Sequence, residues 1–510
     1  MDSYGHRGTK IARNTLMLYV RMLVLMLVGL YTSRVVLGAL GEDDFGVYNV
    51  VGGVVSMFTI ISGALNSAVS RFITFEMGKG AEAQLNKVYS TAVTIQLILA
   101  AVVVLLAEPL GLWFIDNKMT IDPSRIPAAR WVLHFSLLAF VINLMSVPQM
   151  ASITAHEHMS AYAYIGILDG LLRLGVAFLI LHSPIDRLIY YAALMAGVVL
   201  IVRMAYGLYC RLHFEECRYR PVFDRPLIRE MFSFAGWNFI GVTSGVLRDH
   251  GGNILVNLFS GPAVNAARGV AVQLNGAVQG FVTNFMTAVN PQITKSYAAG
   301  EKEYMFSLVR RSSRMSFFLL FLIALPVIFN ADYLLSIWLK EVPEHSSLFV
   351  QLFLIFALSE SLSNPMITAM LATGNIRNYQ LVVGGIQLLN LPVSYVCLRM
   401  GAIPEVTVIV AIIISQICMW ARLLMLSKAT GFPVLPFLEE VYFSVLFKVV
   451  CGSLVVPLIL EAVKPEGIAG FLVSTSVCVL WSMFVIMALG LQSDERKWIV
   501  NKIKDKFVRK

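Results

Sequence analysis

The chain has 510 residues, 57% of them hydrophobic and only 14% charged, with a formal net charge of +9 and a mean hydropathy of +0.74. These values exclude an ordinary soluble globular domain, and the apolar stretches run along the whole chain, leaving no room for a large soluble one. The excess of cations fits loops that face anionic lipid, so membrane lipid is an expected partner and nucleic acid is not.

A helix of roughly 20 apolar residues crosses the hydrocarbon core. Windows of that length predict about fourteen helices, over 14–39, 46–72, 88–115, 128–154, 161–182 and 187–210 in the first half. The second half adds 230–259, 263–293, 305–330, 347–371, 379–400, 405–427, 441–460 and 468–491. Runs such as Leu97 to Leu106 and Val408 to Ile414 are continuously apolar rather than alternating, which favours helices over barrel strands. The expected fold class is an all-α integral membrane protein.

Lys and Arg of short loops stay on the cytoplasmic side. They gather before the first helix, between the sixth and seventh (Arg211, Arg218, Arg220, Arg225, Arg229), around Lys302 and in the tail, so both termini are expected in the cytoplasm. In the tail, Ile499, Val500, Ile503 and Phe507 share one helical face among lysines, as in an amphipathic helix lying on the inner leaflet. Cys397, Cys418, Cys451 and Cys478 fall within predicted spans, where packing is their expected role. Glu157 with His156 and His158 reads as a solvated loop rather than a metal centre, because no further ligands lie nearby in sequence. No metal or cofactor is expected.

Sliding the chain by 220 residues aligns Gly41 with Gly261, Val50 with Val270, Ala68-Val69 with Ala288-Val289, Ile73-Thr74 with Ile293-Thr294 and Gly80 with Gly300. Six helices separate the copies, so both cross the membrane in the same direction. Parallel repeats of this kind flank a substrate path. The expected layout is two parallel six-helix lobes around a central cavity, residues 1–210 and 230–427, joined by a basic linker at 211–229. Two extra helices follow in 428–491, and the tail occupies 492–510.

The second and eighth helices each carry a polar stripe: Tyr48, Thr59, Ser62, Asn66 and Ser70 in one, and Asn265, Arg268, Asn275, Gln279, Thr283 and Asn290 in the other. Such stripes either line a cavity or hydrogen-bond neighbouring helices. Charges inside spans are costly and face a cavity or one another. Asp169 and Arg173 are spaced as a helical i, i+4 pair, and Arg203 and Arg34 lie near span ends, where they can snorkel. That leaves Arg21, Arg248 and Arg268 as cavity candidates, a cationic set suited to an anion and, through the guanidinium fork, to a phosphate. Glu360, followed by Asn364 and Pro365, is either an ion-coupling carboxylate for a Na+ or H+ gradient or the counter-ion of an arginine. The glycine pairs Gly52-Gly53 and Gly251-Gly252 and the prolines Pro326, Pro365 and Pro392 are candidate bending points.

The segments VVLGALGEDDFGVYNVVGG (Val35 to Gly53), SAVSRFITFEMGKG (Ser67 to Gly80), SFAGWNFIG (Ser233 to Gly241), FSGPAVNAARGVAVQLNGAVQGF (Phe259 to Phe281) and NPQITKSYAAG (Asn290 to Gly300) resemble the O-antigen and polysaccharide flippase branch of the multidrug/oligosaccharidyl-lipid/polysaccharide exporter superfamily. The resemblance implies a bacterial inner-membrane transporter. It would carry an undecaprenyl-diphosphate-linked oligosaccharide from the cytoplasmic to the periplasmic leaflet by alternating access, as a monomer, with polysaccharide assembly proteins as candidate partners. The family brings no strict catalytic motif, and Glu360 lies outside the matching segments. A multidrug exporter of the same fold is the first alternative, although cationic drugs favour carboxylates. A membrane glycosyltransferase, polymerase or ligase is the second. It would use the acidic Glu42-Asp43-Asp44 turn for a metal-bound diphosphate, but no outer loop is long enough for a substrate domain.

Overall fold

The computed structural model describes residues 2–56, 58–119, 121–339, 341–450, 453–463, 467–492 and 495–496. Every regular element among them is helical. In chain order these are α1 (Asp2–Ser56), α2 (Thr59–Gly78), α3 (Glu82–Asn117), α4 (Ile126–Ala155), α5 (Met159–Leu179), α6 (Arg187–His213) and α7 (Arg225–Ala298). They continue with α8 (Lys302–Phe329), α9 (Ala331–Trp338), α10 (Ser346–Ser361), α11 (Asn364–Ala372), α12 (Arg377–Leu388), α13 (Asn390–Arg399) and α14 (Val406–Thr430). A short turn, a π-helical segment over Leu438–Val450, and helices Val455–Val463 and Gly467–Val485 complete the described chain. The expected amphipathic face of the tail and Cys451 lie outside the described residues.

Ten helical stretches among the described residues are long and apolar enough to cross a membrane, which makes this a multi-pass membrane protein. The other four expected spans, near 46–72, 230–259, 263–293 and 441–460, are largely helical but are not among the ten. Polar and charged residues dilute the middle two, and the first is interrupted. The helix expected over 46–72 is in fact two pieces, since α1 runs to Ser56 and α2 begins at Thr59. The stretch before the break, Val50-Val51-Gly52-Gly53-Val54-Val55, combines β-branched residues and glycines, all weak helix formers. The helix over 347–371 likewise divides into α10 and α11, with Pro365 in the first turn of the second piece, where its missing N–H costs nothing. The helix over 379–400 divides between Leu388 and Asn390, and the short α9 has no counterpart in the sequence reading.

The sequence repeat is a backbone repeat as well. Gly41 (φ 80°, ψ 171°) and Gly261 (φ 84°, ψ 178°) each join two helical arms through one non-helical residue, in a region of φ/ψ space that is open essentially to glycine alone. Thirty-nine positions later the match recurs. Gly80 and Gly300, both at positive φ, end α2 and α7 with the same pair of capping bonds. In one copy Gly80 N–H donates to Met77 O (3.1 Å) and Ala81 N–H to Glu76 O (3.2 Å); in the other Gly300 N–H donates to Tyr297 O (3.1 Å) and Glu301 N–H to Ser296 O (2.9 Å). This is the Schellman closure that a left-handed glycine permits.

The chain forms two compact units. The first comprises Met1–Thr243, Thr287–Glu301 and Gly374–Arg377; the second comprises Ser244–Met286, Lys302–Thr373 and Asn378–Lys510. Within the first, α4 packs against α2, α3, α6 and α1, around a core that includes Val132, Leu133, Leu144 and Leu188. At one end Arg125 binds Asp44, beside the Gly41 turn, and Asp186 at the start of α6. Asp44 of the acidic turn is thus the partner of an arginine.

At the other end Glu157 is the hub. The sequence reading made His156-Glu157-His158 a solvated loop, and the structure corrects this: the Glu157 side chain is 3% exposed and ion-paired to Lys10 (2.9 Å) and Lys295 (3.0 Å). Gln292 Nε2 donates to the same carboxylate at 2.7 Å, and Asn14 Nδ2 to its backbone carbonyl at 3.3 Å. His156 stacks on Phe214, with ring centroids 4.0 Å apart, and bonds Glu216. Residues distant in sequence supply all these partners, so no local pattern announces them. Among the described residues no His, Cys, Asp and Glu group could hold a metal ion.

Gly261→Ala and Gly41→Ala should each destabilise the protein by about 1–3 kcal/mol through backbone strain alone, because neither site lacks space for a methyl group. Gly269→Ala, in open space within α7, should be neutral or mildly stabilising, and thermal unfolding in detergent would compare the three.

Burial opposes ionisation of Glu157, but Lys295 and Lys10 outweigh it and hold the carboxyl below its ordinary value of 4.5. A carboxyl depressed in the folded state contributes stability above its unfolded pKa, and that contribution is lost as pH falls through the folded pKa. Glu157→Gln should therefore cost about 2 kcal/mol at neutral pH and flatten the acid limb of unfolding below pH 4.5; an unchanged acid limb would remove Glu157 from that role.

Candidate functional site

The polar groups of the second unit converge where α7 meets α10 and α14. Arg248 lies over the Phe356 ring, 4.7 Å from its centroid, and its Nε donates to Asp249 Oδ1 at 2.9 Å. Arg268, on the other arm of the Gly261 turn, is 4% exposed. It donates to Asn253 Oδ1 and to the Asp249 carbonyl, with its guanidinium 5.2 Å from the centroid of Phe353. Gly252 makes that approach possible, since a Cβ there would sit 2.5 Å from Arg268 Nη2. Gly251 similarly accommodates Leu391. This glycine pair, expected to be a bend, instead provides close packing in a continuous helical arm.

Glu360 sits at the centre of a hydrogen-bonded chain. Ser415 Oγ donates to its Oε1 at 2.6 Å, and Arg422 Nη1 lies 3.6 Å from the same oxygen. The Ser415 hydroxyl is 2.9 Å from that of Ser359, which accepts from Gln416 Nε2 at 2.5 Å, and Tyr442 donates to Gln416 Oε1 at 3.0 Å. Since Ser415 spends its proton on the carboxylate, Ser359 must donate to Ser415. Every donor from Tyr442 inward thus points toward Glu360.

Arg248, Gln279, Thr283, Glu360 and Asn364 line one cavity of about 90 Å³ in this unit. Three of the site residues named from sequence, Arg248, Gln279 and Glu360, thus share a cavity. Arg268 and Asn275 are not among its lining residues, and the Asn275 Oδ1 is buried without a hydrogen bond. The remaining three belong to the first unit. Arg21 lies over Tyr162, 4.4 Å from the ring centroid, with its Nε buried and unbonded. Tyr48 lines a separate cavity of about 250 Å³ with Asp169, Arg173 and Tyr191, where Asp169 and Arg173 form their helical pair at 3.0 Å. Asn66 is exposed on α2.

The sequence reading missed Arg422. It lies near the end of its predicted helix, where an arginine is expected to snorkel, yet its side chain is 3% exposed. The available signal was the flanking sequence, Met419-Trp420-Ala421 before it and Leu423-Leu424-Met425 after it, which offers no polar surface for the cation. Removing one member of a buried ion pair strands the other. Arg422→Met should therefore cost about 3 kcal/mol, and Glu360→Gln in the same chain should restore most of that loss; simple additivity in a double-mutant cycle would show that the two do not form a functional pair.

The geometry can be set beside known proteins. A profile of the polysaccharide biosynthesis protein family matches residues 11–297, more than half of the chain. An uncharacterized membrane protein, EpsK of Bacillus subtilis (strain 168), is 20% identical over 319 residues, which are 62% of this chain and 63% of that protein; the match thus spans a little under two thirds of the relative. Solved structures share the fold. A MATE point mutant superposes with a TM-score of 0.74 at 11% identity, covering 83% of this chain and 97% of its own. A mutant of the Vibrio cholerae MATE transporter VcmN gives 0.69 at 18% identity, covering 84% and 98%. A MOP superfamily transporter from Pyrococcus furiosus gives 0.69 at 10% identity, covering 82% and 96%. With its helical spans, MATE-like fold and a family match over more than half of its length, the chain belongs to the polysaccharide biosynthesis protein family.

Proposed function

We propose that the protein is a flippase that moves a lipid-diphosphate-linked oligosaccharide from the cytoplasmic to the periplasmic leaflet of a bacterial inner membrane. The observation that carries this reading is the cationic pair Arg248 and Arg268, each braced on an aromatic ring on either side of the Gly261 turn. Two guanidinium groups held this way suit a diphosphate, because each can bond its oxygens bidentately and stays charged after desolvation. Neither a diphosphate nor a glycan crosses hydrocarbon unaided, because each unpaired polar group costs several kcal/mol. A polar path that covers the head group while the polyprenyl tail stays in lipid lowers that barrier without chemistry, so no enzymatic step is needed. In this reading the lobes 1–210 and 230–427 alternate their opening, both termini lie in the cytoplasm and the working form is a monomer.

Glu360 is proposed as the coupling group. Its carboxylate lines the cavity beside Arg248 and ends a directed chain of hydroxyl and amide donors, an arrangement through which protonation or Na+ binding would loosen its hold on Arg422. The same carboxylate favours the second reading, an exporter of cationic drugs with the fold of the multidrug resistance MATE transporter. For the Pyrococcus furiosus relative, reverse polarity of the binding pocket is itself reported to suggest a different function; here the two arginines argue for an anionic cargo.

The test is reconstitution in liposomes, following leaflet exchange of an undecaprenyl-diphosphate-linked oligosaccharide by its accessibility to an external glycan-modifying enzyme. Arg268→Ala should reduce flipping by more than about tenfold, the loss of one charged hydrogen-bonding group, while the protein still inserts. Arg248→Lys should also impair flipping, since the ammonium cannot reproduce the fork. Cationic dye efflux in place of flipping would favour the second reading. Glu360→Gln should flatten the dependence on pH or sodium; an unaltered dependence would assign coupling elsewhere.

A further inference from the structure

The first unit contains a concavity of about 730 Å³ that the transport site does not use. It is bounded by α2, the first turns of α7 and the turn before α12. Its wall carries Arg225, Arg229 and Arg377 against one carboxylate, Glu230, with Trp237 and Asn375 beside them. Its volume is in the range of small-molecule sites.

Three features distinguish it from a basic loop that merely faces lipid. First, its positive charge is in excess: three arginines face one carboxylate, Glu230, and among the described residues none of the three is ion-paired, whereas the neighbouring Asp224 is occupied by Lys87 and by the Leu227 N–H. Second, its wall is shaped in advance. Gly374 has φ +79°, and a Cβ there would sit 2.6 Å from Arg71 Nη2. Arg71 in turn lies 4.3 Å from the centroid of Phe75 and 4.7 Å from that of Phe72, and Ile376 is 1% exposed. The turn that presents Asn375 and Arg377 is therefore seated on a packed base. Third, Arg377 lies over Trp237, 5.3 Å from its ring centroid, which sets a flat guanidinium beside an aromatic face.

We propose that this cavity binds a phosphorylated sugar. The phosphate lies against the arginines, whose forks donate to its oxygens in pairs. Sugar hydroxyls meet Asn375, Ser233 and Glu230, and a ring face meets Trp237. Glu230 selects for the sugar, since a carboxylate accepts hydroxyl protons but repels a bare phosphate. The head group is either borne on a lipid carrier or soluble. If borne on the carrier, the cavity is a receiving station for the cargo of the proposed flippase, and only this assignment of source rests on that reading.

The full chain, in nanodiscs of phosphatidylcholine, would be titrated with soluble uridine-diphosphate N-acetylglucosamine and with undecaprenyl-diphosphate-linked N-acetylglucosamine, following tryptophan fluorescence and heat of binding. Saturable binding of either probe is expected, with the fluorescence change reduced by Trp237→Phe. Arg229→Gln with Arg377→Gln should raise Kd by at least about tenfold, as for loss of charge-assisted bonds. The corresponding double lysine variant, which keeps the charge, should fall between and serves if the glutamine variant does not fold. Binding of only the lipid-borne probe assigns the carrier as source, and binding of both assigns the sugar phosphate itself. An unchanged Kd in both double variants, no binding of either probe, or a response that follows added phosphatidylglycerol instead of the sugar would overturn the proposal. Arg268→Ala should leave this binding intact. A protein that binds here but flips nothing thus removes the flippase reading alone, and one that flips with both double variants binding like the parent removes this inference alone.

Discussion

A charge inside a bilayer has to be matched by another charge, a dipole or water, and this constraint organises most of what is specific in this chain. Hydrocarbon supplies neither partners nor solvent, so each buried ion pulls residues from other helices toward it. Glu360 draws in Ser415 and Arg422 of α14. Arg268 draws in Asn253 and the Asp249 carbonyl across the Gly261 turn. Arg314, 2% exposed, is held by Glu495 at 2.7 Å. The helices could slide past one another on apolar contacts alone; the ionic contacts give them a register.

Against this background the unbonded guanidinium nitrogens stand out. Arg21 keeps a buried, unbonded Nε over Tyr162, and the Arg268 Nε is likewise unbonded. Groups of this kind are expensive to maintain in a resting protein and become favourable when an anion arrives. In the second unit, carboxylate and guanidinium share a cavity through Glu360 and Arg248. An anion bound there would compete with Glu360 for the arginines, and a cation or proton would compete with the arginines for Glu360. In the proposed transport cycle that mutual exclusion would couple ion binding to cargo binding, with each ligand favouring a different arrangement of the same side chains.

Glycine has two separate roles in this architecture. Gly41 and Gly261 are required by backbone conformation, because their φ/ψ values are closed to residues with a Cβ, and nothing crowds them. Gly252 and Gly166 are required by space, since a Cβ would meet the guanidinium groups of Arg268 and Arg21. The first pair builds the repeat. The second lets arginines approach helix backbones closely enough to be buried.

What the sequence by itself determined is the class of the molecule and its periodic skeleton. Continuous apolar windows dictate membrane helices because hydrocarbon permits few other backbones, and the 220-residue repeat is legible because the glycines it aligns are imposed by local φ/ψ, which depends on neighbours in sequence. The intramembrane charges were legible one at a time, as exceptions in apolar runs. Their partners were not. Glu157 read as a loop residue because Lys10 and Lys295 are 147 and 138 positions away. Arg422 was missed because its depth depends on neighbouring helices. The helix break between Ser56 and Thr59 left only a weak signal, since propensity differences are small beside the cost of an unpaired backbone group, whereas Pro365 marked the break before Asn364. Tertiary structure alone decided which charges meet, because an ion pair depends on distance in space and helix packing sets that distance without reference to separation along the chain.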